Sequence, residues 1–263
     1  MTFRFEERDL SIVIPCYNEA NRLPRTLVRT AAYLATKPGW HEIIVVSDGS
    51  TDETLEKAAE AFATLPENVV GHWFGYMPNA GKGKAVKIGM RQASGNRILF
   101  MDADYSVPLE CLARAEALLD AGYDIAIGSR ATADTKIVEH QSFLRERIAK
   151  VFGLIQRNYL GLRLKDTQCG FKLFTRKAAL EIFGQVKLRS VIFDGEALWL
   201  AKRMKYKAAE FPVEWTHDPD TRLSYNFVKS LKVLRDMLWV PFLHMRHKKE
   251  APIPDRHRVR ATV

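Results

Sequence analysis

Apolar residues along this chain gather into short continuous runs, and between the runs they recur every three or four positions. The first run, Leu10 to Pro15, predicts a buried strand, and Leu23, Leu27, Ala31 and Leu34 predict a helix from Asn18 or Glu19 to Thr36. Strands over His41–Val46, Val69–Phe74, Arg97–Met101 and Asp124–Ile127 then alternate with helices over Asp52–Phe62, Gly81–Ala93 and Pro108–Leu119. Continuous apolar strands, each followed by a helix, predict an α/β fold: a mostly parallel sheet covered by helices on both faces. After Gly128 the rhythm breaks. A basic helical stretch from about Phe143 to Tyr159 precedes a segment bearing Gly and Cys, Asp166 to Thr175, then a helix near Asp194–Met204, a strand near Ala208–Val213 and a long helix from about Tyr225. The expected organisation is one domain over residues 1–222, an amphipathic helix over 223–245 and a basic flexible tail over 246–263.

The strand Arg97–Met101 runs into Asp102-Ala103-Asp104. Residues i and i+2 of extended backbone point the same way, so both carboxylates can reach one cation at the carboxyl edge of the sheet, where open α/β sheets bind ligands. Mg²⁺ and Mn²⁺ take oxygen ligands, and Mg²⁺ is commonly held by one or two carboxylates while phosphates and water complete its shell. Taken alone, the pair also reads as a solvated strand-end turn. A second acid, Asp48, stands where His41–Val46 runs into Ser47-Asp48-Gly49-Ser50-Thr51-Asp52, so two neighbouring strands are expected to end in acid. Gly49 to Thr54 reads as a turn and helix cap, which leaves Asp48 to hydrogen-bond a nucleoside. Asn79-Ala80-Gly81-Lys82-Gly83-Lys84 matches neither a Walker A loop nor a dinucleotide fingerprint. Its N–H groups with Lys82 and Lys84 nonetheless offer an anion site at a helix start.

The net charge of +9 is local. Residues 129–165 carry eight Lys or Arg against three acids, residues 246–263 carry six against two, and the remainder is neutral. Two basic segments point to two local anionic partners, substrate phosphates and anionic lipid headgroups, rather than to nucleic acid, whose backbone the strand-end acids would repel. The three cysteines, Cys16, Cys111 and Cys169, are odd in number and far apart, which argues against a disulfide framework or a zinc site. With no apolar leader and no run near the ~20 residues of a spanning helix, the expected location is the cytoplasm, peripheral to a membrane face. From Tyr225, apolar Phe227, Val228, Leu231, Leu234, Met237, Leu238 and Trp239 interleave with Lys229, Lys232 and Arg235, and a basic flank follows. This amphipathic helix suits either an anionic bilayer surface or packing on the domain.

Several motifs occur in order over roughly residues 10–240: Leu10-Ser-Ile-Val-Ile-Pro-Cys-Tyr-Asn-Glu-Ala-Asn-Arg-Leu, Val46-Ser-Asp-Gly-Ser-Thr-Asp, Asn79-Ala-Gly-Lys-Gly-Lys-Ala-Val, Met101-Asp-Ala-Asp, Ala126-Ile-Gly-Ser-Arg, Asp166-Thr-Gln-Cys-Gly-Phe-Lys-Leu-Phe and Phe193-Asp-Gly-Glu. Together they resemble the family 2 glycosyltransferases, and within them the dolichyl-phosphate and polyprenyl-phosphate glucosyltransferases. The resemblance implies a GT-A fold, a UDP-sugar donor, a Mg²⁺ or Mn²⁺ cofactor, inversion at the anomeric carbon and a polyprenyl or dolichyl phosphate acceptor. It implies Pro15, Tyr17 and Glu19 around the nucleotide, Asp48 on the base, Asp102 near the ribose or metal, and Asp104 on the metal. Arg130 can hold a phosphate through its planar fork, and Arg145 and Arg147 are candidates for gripping the acceptor phosphate. Asp166 and Gln168 are candidates for reading the sugar, and Cys169-Gly170-Phe171 reads as structural.

A phosphate acceptor, with a second pKa of roughly 6, is already largely dianionic and needs no strong base. A hydroxyl acceptor would need one, and Asp194 and Glu196 are the candidates. A same-fold transferase acting on a soluble hydroxyl, and a non-catalytic membrane or nucleic-acid binding protein, remain as alternatives. Tyr105 stands where close relatives often have Gly, and His217 could reach the metal, although a lone His is more often a surface or packing residue.

Overall fold

The computed structural model describes residues 8–132, 136–137, 153–154, 156–216 and 227–245. Four strands, β1 (Leu10–Cys16), β2 (His41–Asp48), β3 (Val69–Tyr76) and β4 (Arg97–Met101), alternate with three helices, α1 (Leu23–Ala35), α2 (Thr54–Phe62) and α3 (Lys82–Gln92). A short 3₁₀ turn at Leu109–Cys111 leads into α4 (Leu112–Asp120), followed by β5 (Ile125–Ser129) and the two-residue β6 (Lys136–Ile137). Then come β7 (Phe171–Thr175), α5 (Arg176–Gln185), α6 (Phe193–Arg203), β8 (Ala208–Pro212), β9 (Glu214–Trp215) and α7 (Phe227–Leu243).

The main sheet has the order β3-β2-β1-β4-β7-β5-β8, and β6 pairs with β9 separately. Within the main sheet every pairing is parallel except those of β7, which runs antiparallel to both β4 and β5. Besides the two-residue strands β6 and β9, two elements escape the periodicity reading: β7, whose apolar run is broken by Lys172, and α5, which Thr175 caps by accepting the Ala178 N–H, a contact worth about 1 kcal/mol. The two strands that end in acid are also not neighbours, because β1 lies between β2 and β4.

Strand residues alternate between two apolar layers. Ile12, Ile14, Ile43, Val45 and Leu99 join α1 and α4 on one face. Val13, Ile44, Val46, Ile98 and Phe100 join α3, α5, α6 and α7 on the other. Each fully buried Leu, Ile or Phe contributes about 1.5–3 kcal/mol, and this two-sided burial explains why the strands read as continuous apolar runs. Because β1 to β5 run the same way and β7 opposes them, one edge collects the carboxyl ends of β2, β4 and β5, the start of β7 and the first residue of α3.

Candidate active site

The chain leaves extended geometry at Met101, so Asp102 and Asp104 stand in a turn rather than on the strand face the spacing predicts. Asp104 accepts the Ser106 N–H at 3.0 Å and the Ser106 hydroxyl, closing a local turn. Tyr105 between them has φ +55°, the left-handed region that glycine adopts at least cost. Its ring lies 5.0 Å from the Arg29 guanidinium.

Asp102 is held from two sides. Its N–H donates to the Gly170 carbonyl at 3.0 Å, and its Oδ1 accepts from Lys82 Nζ at 2.6 Å. A Cβ on Gly170 would lie 2.0 Å from Asp102 Oδ2, so only glycine lets the start of β7 approach this closely. Lys82 opens α3 directly after Gly81, whose φ of +102° makes the turn. Its ammonium lies 5.3 Å from the Phe100 ring centroid, and that of Lys172 lies 5.5 Å from the same ring.

Lys172 is the residue the sequence reading passed over; its signal is a single charge inside the apolar run Phe171-Lys172-Leu173-Phe174. On β7 it is buried, and it donates to Asp194 Oδ1 and to the Cys169 carbonyl, each at 2.6 Å. Asp194 stands in the first turn of α6, where the helix dipole favours a carboxylate. A row of alternating charge thus runs from Asp102 through Lys82 and Asp194 to Lys172.

The titration behaviour follows from this row. Burial works against ionised Asp102, but Lys82 first, then Lys172 and Arg130, hold its carboxyl below the usual range. Burial and the Asp102 charge push Asp104 up, against its Ser106 bonds. Burial likewise raises Asp194 despite Lys172 and Lys82. Lys82 is raised because Asp102 and Asp194 outweigh its desolvation.

The Asp102–Asp104 pair therefore carries negative charge that a cation would relieve, and its hard oxygen donors fit Mg²⁺ or Mn²⁺. Among the described residues no group of three or more His, Cys, Asp or Glu side chains is placed to hold a metal. Phosphates and water would complete the shell.

Other candidates have acquired partners of their own. The Arg130 fork expected to take a phosphate is turned onto Asp166, with Nε to Oδ2 at 2.7 Å and Nη2 to Oδ1 at 3.0 Å. Asp166 also accepts from the N–H groups of Arg130 and Gln168, and its own N–H donates to Glu210. This buried carboxylate, held below its usual range by Arg130 against the cost of burial, organises the loop before β7.

Asp48 is buried, and it accepts from the Tyr76 hydroxyl at 2.7 Å and from the N–H groups of Ala80 and Gly81 at 2.8–3.0 Å. It fastens the loop before α3, with Oδ1 taking three of these bonds and Oδ2 one. Lys84 sits with its ammonium 3.9 Å from the Tyr76 ring centroid.

Pro15 is buried at the end of β1, Tyr17 is exposed, and Glu19 pairs with Arg22 at 2.6 Å. Glu196 is fully buried, accepting from the Lys187 and Leu188 N–H groups at 2.9 and 2.7 Å, with His244 Nε2 at 2.6 Å. Cys169 is structural as expected, its thiol pushed up to about 12 by burial. Arg145, Arg147 and His217 lie outside the described residues.

A parallel sheet with one reversed strand and an acid pair at its carboxyl edge defines the GT-A class of glycosyltransferase fold. Solved structures agree. Mycobacterium tuberculosis glucosyl-3-phosphoglycerate synthase is similar with a TM-score of 0.61 at 16% identity, over 89% of this chain and 80% of that one. Staphylococcus aureus TarS in complex with UDP-GlcNAc is similar at 0.58 and 18% identity, over 92% and 68%. Residues 11–183 match the family described as glycosyl transferase family 2, and the chain belongs to that family. It is a glycosyltransferase. Dolichyl-phosphate beta-glucosyltransferases of Drosophila melanogaster and Saccharomyces cerevisiae are each 35% identical to it, over 89% and 91% of this chain and 76% of theirs. The Homo sapiens enzyme of that name is 32% identical over 89% of this chain and 75% of its own.

Proposed function

We propose that this enzyme transfers glucose from UDP-glucose to the phosphate of a dolichyl or other polyprenyl phosphate, with inversion. The names of the relatives at 32–35% identity support both the sugar and the acceptor. The observation that carries the choice of acceptor is the state of Asp194 and Glu196. A hydroxyl nucleophile needs a base within hydrogen-bond reach. Glu196 is enclosed and saturated by two N–H groups and His244, and Asp194 is buried in its pair with Lys172. Neither is presented to solvent as a base. A phosphate monoester, largely dianionic near neutral pH, does not require one.

In this reading an acceptor phosphate oxygen forms the new bond to the anomeric carbon as the bond to UDP breaks, and UDP leaves. The protein's contribution is orientation and charge. Asp102 and Asp104 would hold Mg²⁺ or Mn²⁺, which supplies Lewis-acid neutralisation of the departing diphosphate. Lys82 keeps Asp102 ionised and oriented. Asp48 fixes the loop that aims Lys82 and Lys84 at the same edge, and Arg130 with Asp166 shapes the opposite wall. Pro15, Tyr17 and Glu19 border the nucleotide at the end of β1, while Arg145 and Arg147 are assigned to the acceptor phosphate.

The test is transfer of labelled glucose from UDP-glucose to a short polyprenyl phosphate, with and without Mn²⁺ or Mg²⁺, comparing wild type with Asp104→Ala. Metal-dependent label in the lipid product, lost in the variant, is expected. Metal-dependent UDP-glucose binding without any lipid product would overturn the acceptor assignment.

A further inference from the structure

Helix α7 was open to two readings, packing on the domain or lying on a membrane, and the structure shows apolar residues on both of its faces. Met237, Val240 and, just past the helix, His244 point inward and are buried, with Met237 and Val240 in the layer shared by α5 and α6. On the other side Leu238, Trp239, Phe242 and Met245 are 39%, 57%, 55% and 71% exposed. A helix that merely packs on a domain presents polar residues outward. Eleven large apolar side chains are exposed among the described residues, and these four with Tyr159 make up five of them.

Tyr159 belongs to the same face, because its hydroxyl donates to the Leu238 carbonyl at 2.8 Å. Between the two segments lies an open apolar hollow of about 500 Å³ walled by Tyr159, Leu234, Arg235, Leu238, Trp239 and Phe242. Charge identifies what covers it. Along the chain, the two stretches whose balances of +5 and +4 make up the net charge of +9 are continuous in sequence with residues of this face: Tyr159 belongs to residues 129–165, and residues 246–263 follow Met245 directly. A second copy of the chain would bring like charge against like. An anionic bilayer complements it, with Trp and Tyr at headgroup depth and each nearby Lys or Arg adding attraction.

We propose that this face docks the protein on an anionic lipid bilayer, with Trp239, Phe242 and Met245 entering the headgroup region. The proposal rests on the reading above only in that a polyprenyl phosphate would be met there. Docking is tied to the catalytic edge by two contacts: His244 on Glu196, two residues along α6 from Asp194, and Lys187 Nζ on the Leu243 carbonyl at 2.8 Å. A membrane-bound α7 therefore holds α6 at a set height over the lipid.

The test is co-sedimentation of the full chain with phosphatidylcholine vesicles, with and without phosphatidylglycerol, for wild type and W239S/F242S. Wild type should prefer the anionic vesicles and release in high salt. The double variant, folded by circular dichroism, should bind at least about tenfold more weakly while transferring glucose normally to a water-soluble short-chain acceptor. Brominated lipids should quench the emission of wild type and quench Trp239→Phe less, a readout that does not depend on the double variant. Unchanged vesicle binding by W239S/F242S would overturn the proposal. So would a solution dimer that the double substitution makes monomeric. Vesicle binding without glucosyl transfer removes the functional reading alone; transfer without vesicle binding removes the docking surface alone.

Discussion

Gly170→Ala is the sharpest probe of the catalytic edge, because it adds one methyl group and leaves every ionisable residue in place. The new Cβ would stand 2.0 Å from Asp102 Oδ2, whereas ordinary contact begins at 3.4 Å, so something must move by about 1.4 Å. The backbone on the Gly170 side is anchored, since its carbonyl accepts the Asp102 N–H and the next residue enters β7 between β4 and β5. The Asp102 carboxylate therefore gives way, and its 2.6 Å bond to Lys82 is lost. A misplacement of about 1 Å at a reacting centre costs on the order of 100-fold in rate, or about 2.7 kcal/mol of transition-state stabilisation. Loss of about 100-fold in kcat/KM with UDP-glucose and polyprenyl phosphate is expected. The thermal midpoint should move little, because Ala in place of Gly lowers the entropy of the unfolded chain by about 0.4–1 kcal/mol, which offsets strain at the edge. The thermal stabilisation conferred by Mn²⁺ with UDP should fall in parallel. Activity within threefold of wild type, with metal response intact, would refute the placement of Asp102.

Lys172→Met removes one partner of a buried ion pair and should cost about 3–5 kcal/mol in urea unfolding, while Lys172→Met/Asp194→Leu should recover much of that loss; a double variant no more stable than the single would sink the pairing argument. Tyr76→Phe deletes one of the donors to Asp48 and should cost about 1 kcal/mol, read as a lower thermal midpoint, with no change expected if Asp48 draws its stability from the backbone alone. The folded pKa of Asp166 lies below its ordinary value of 3.8, so below 3.8 the unfolded chain takes up its proton first and stability rises with pH through that window. Its contribution is complete above 3.8 and disappears as pH falls through the folded value. Arg130→Met should flatten this acid limb, and an acid limb identical to wild type would show that Arg130 is not what holds Asp166 ionised.

Strands β1 to β4 were legible because both faces of the sheet are buried, so each strand needs an unbroken apolar run and each helix a stripe. The strand-end acids were legible for a related reason: a charge directly after such a run must sit at the sheet's edge. Strand β7 was not legible. It carries Lys172 in its interior, and a buried ammonium makes sense only once Asp194, 22 residues later, is known to meet it. Helix α5 follows from the same omission, since its cap is the last residue of that strand. The partners of Asp48 lie 28 to 33 residues along the chain, on β3 and the loop after it, and no local pattern announces them.

Sequence alone determined the alternating elements from β1 to β5, the layered α/β class, the edge where ligands would meet acid and base, and the family to which the motifs belong. All of these depend on local periodicity or on residues a few positions apart, where chain connectivity dictates geometry. Only the tertiary structure decided which charges are spent on one another. Asp166 on Arg130, Asp194 on Lys172, Glu196 on His244 and Asp48 on its loop are pairings made across long separations. A charge removed from water must find a partner wherever the fold brings one, and that choice is made by packing, not by spacing.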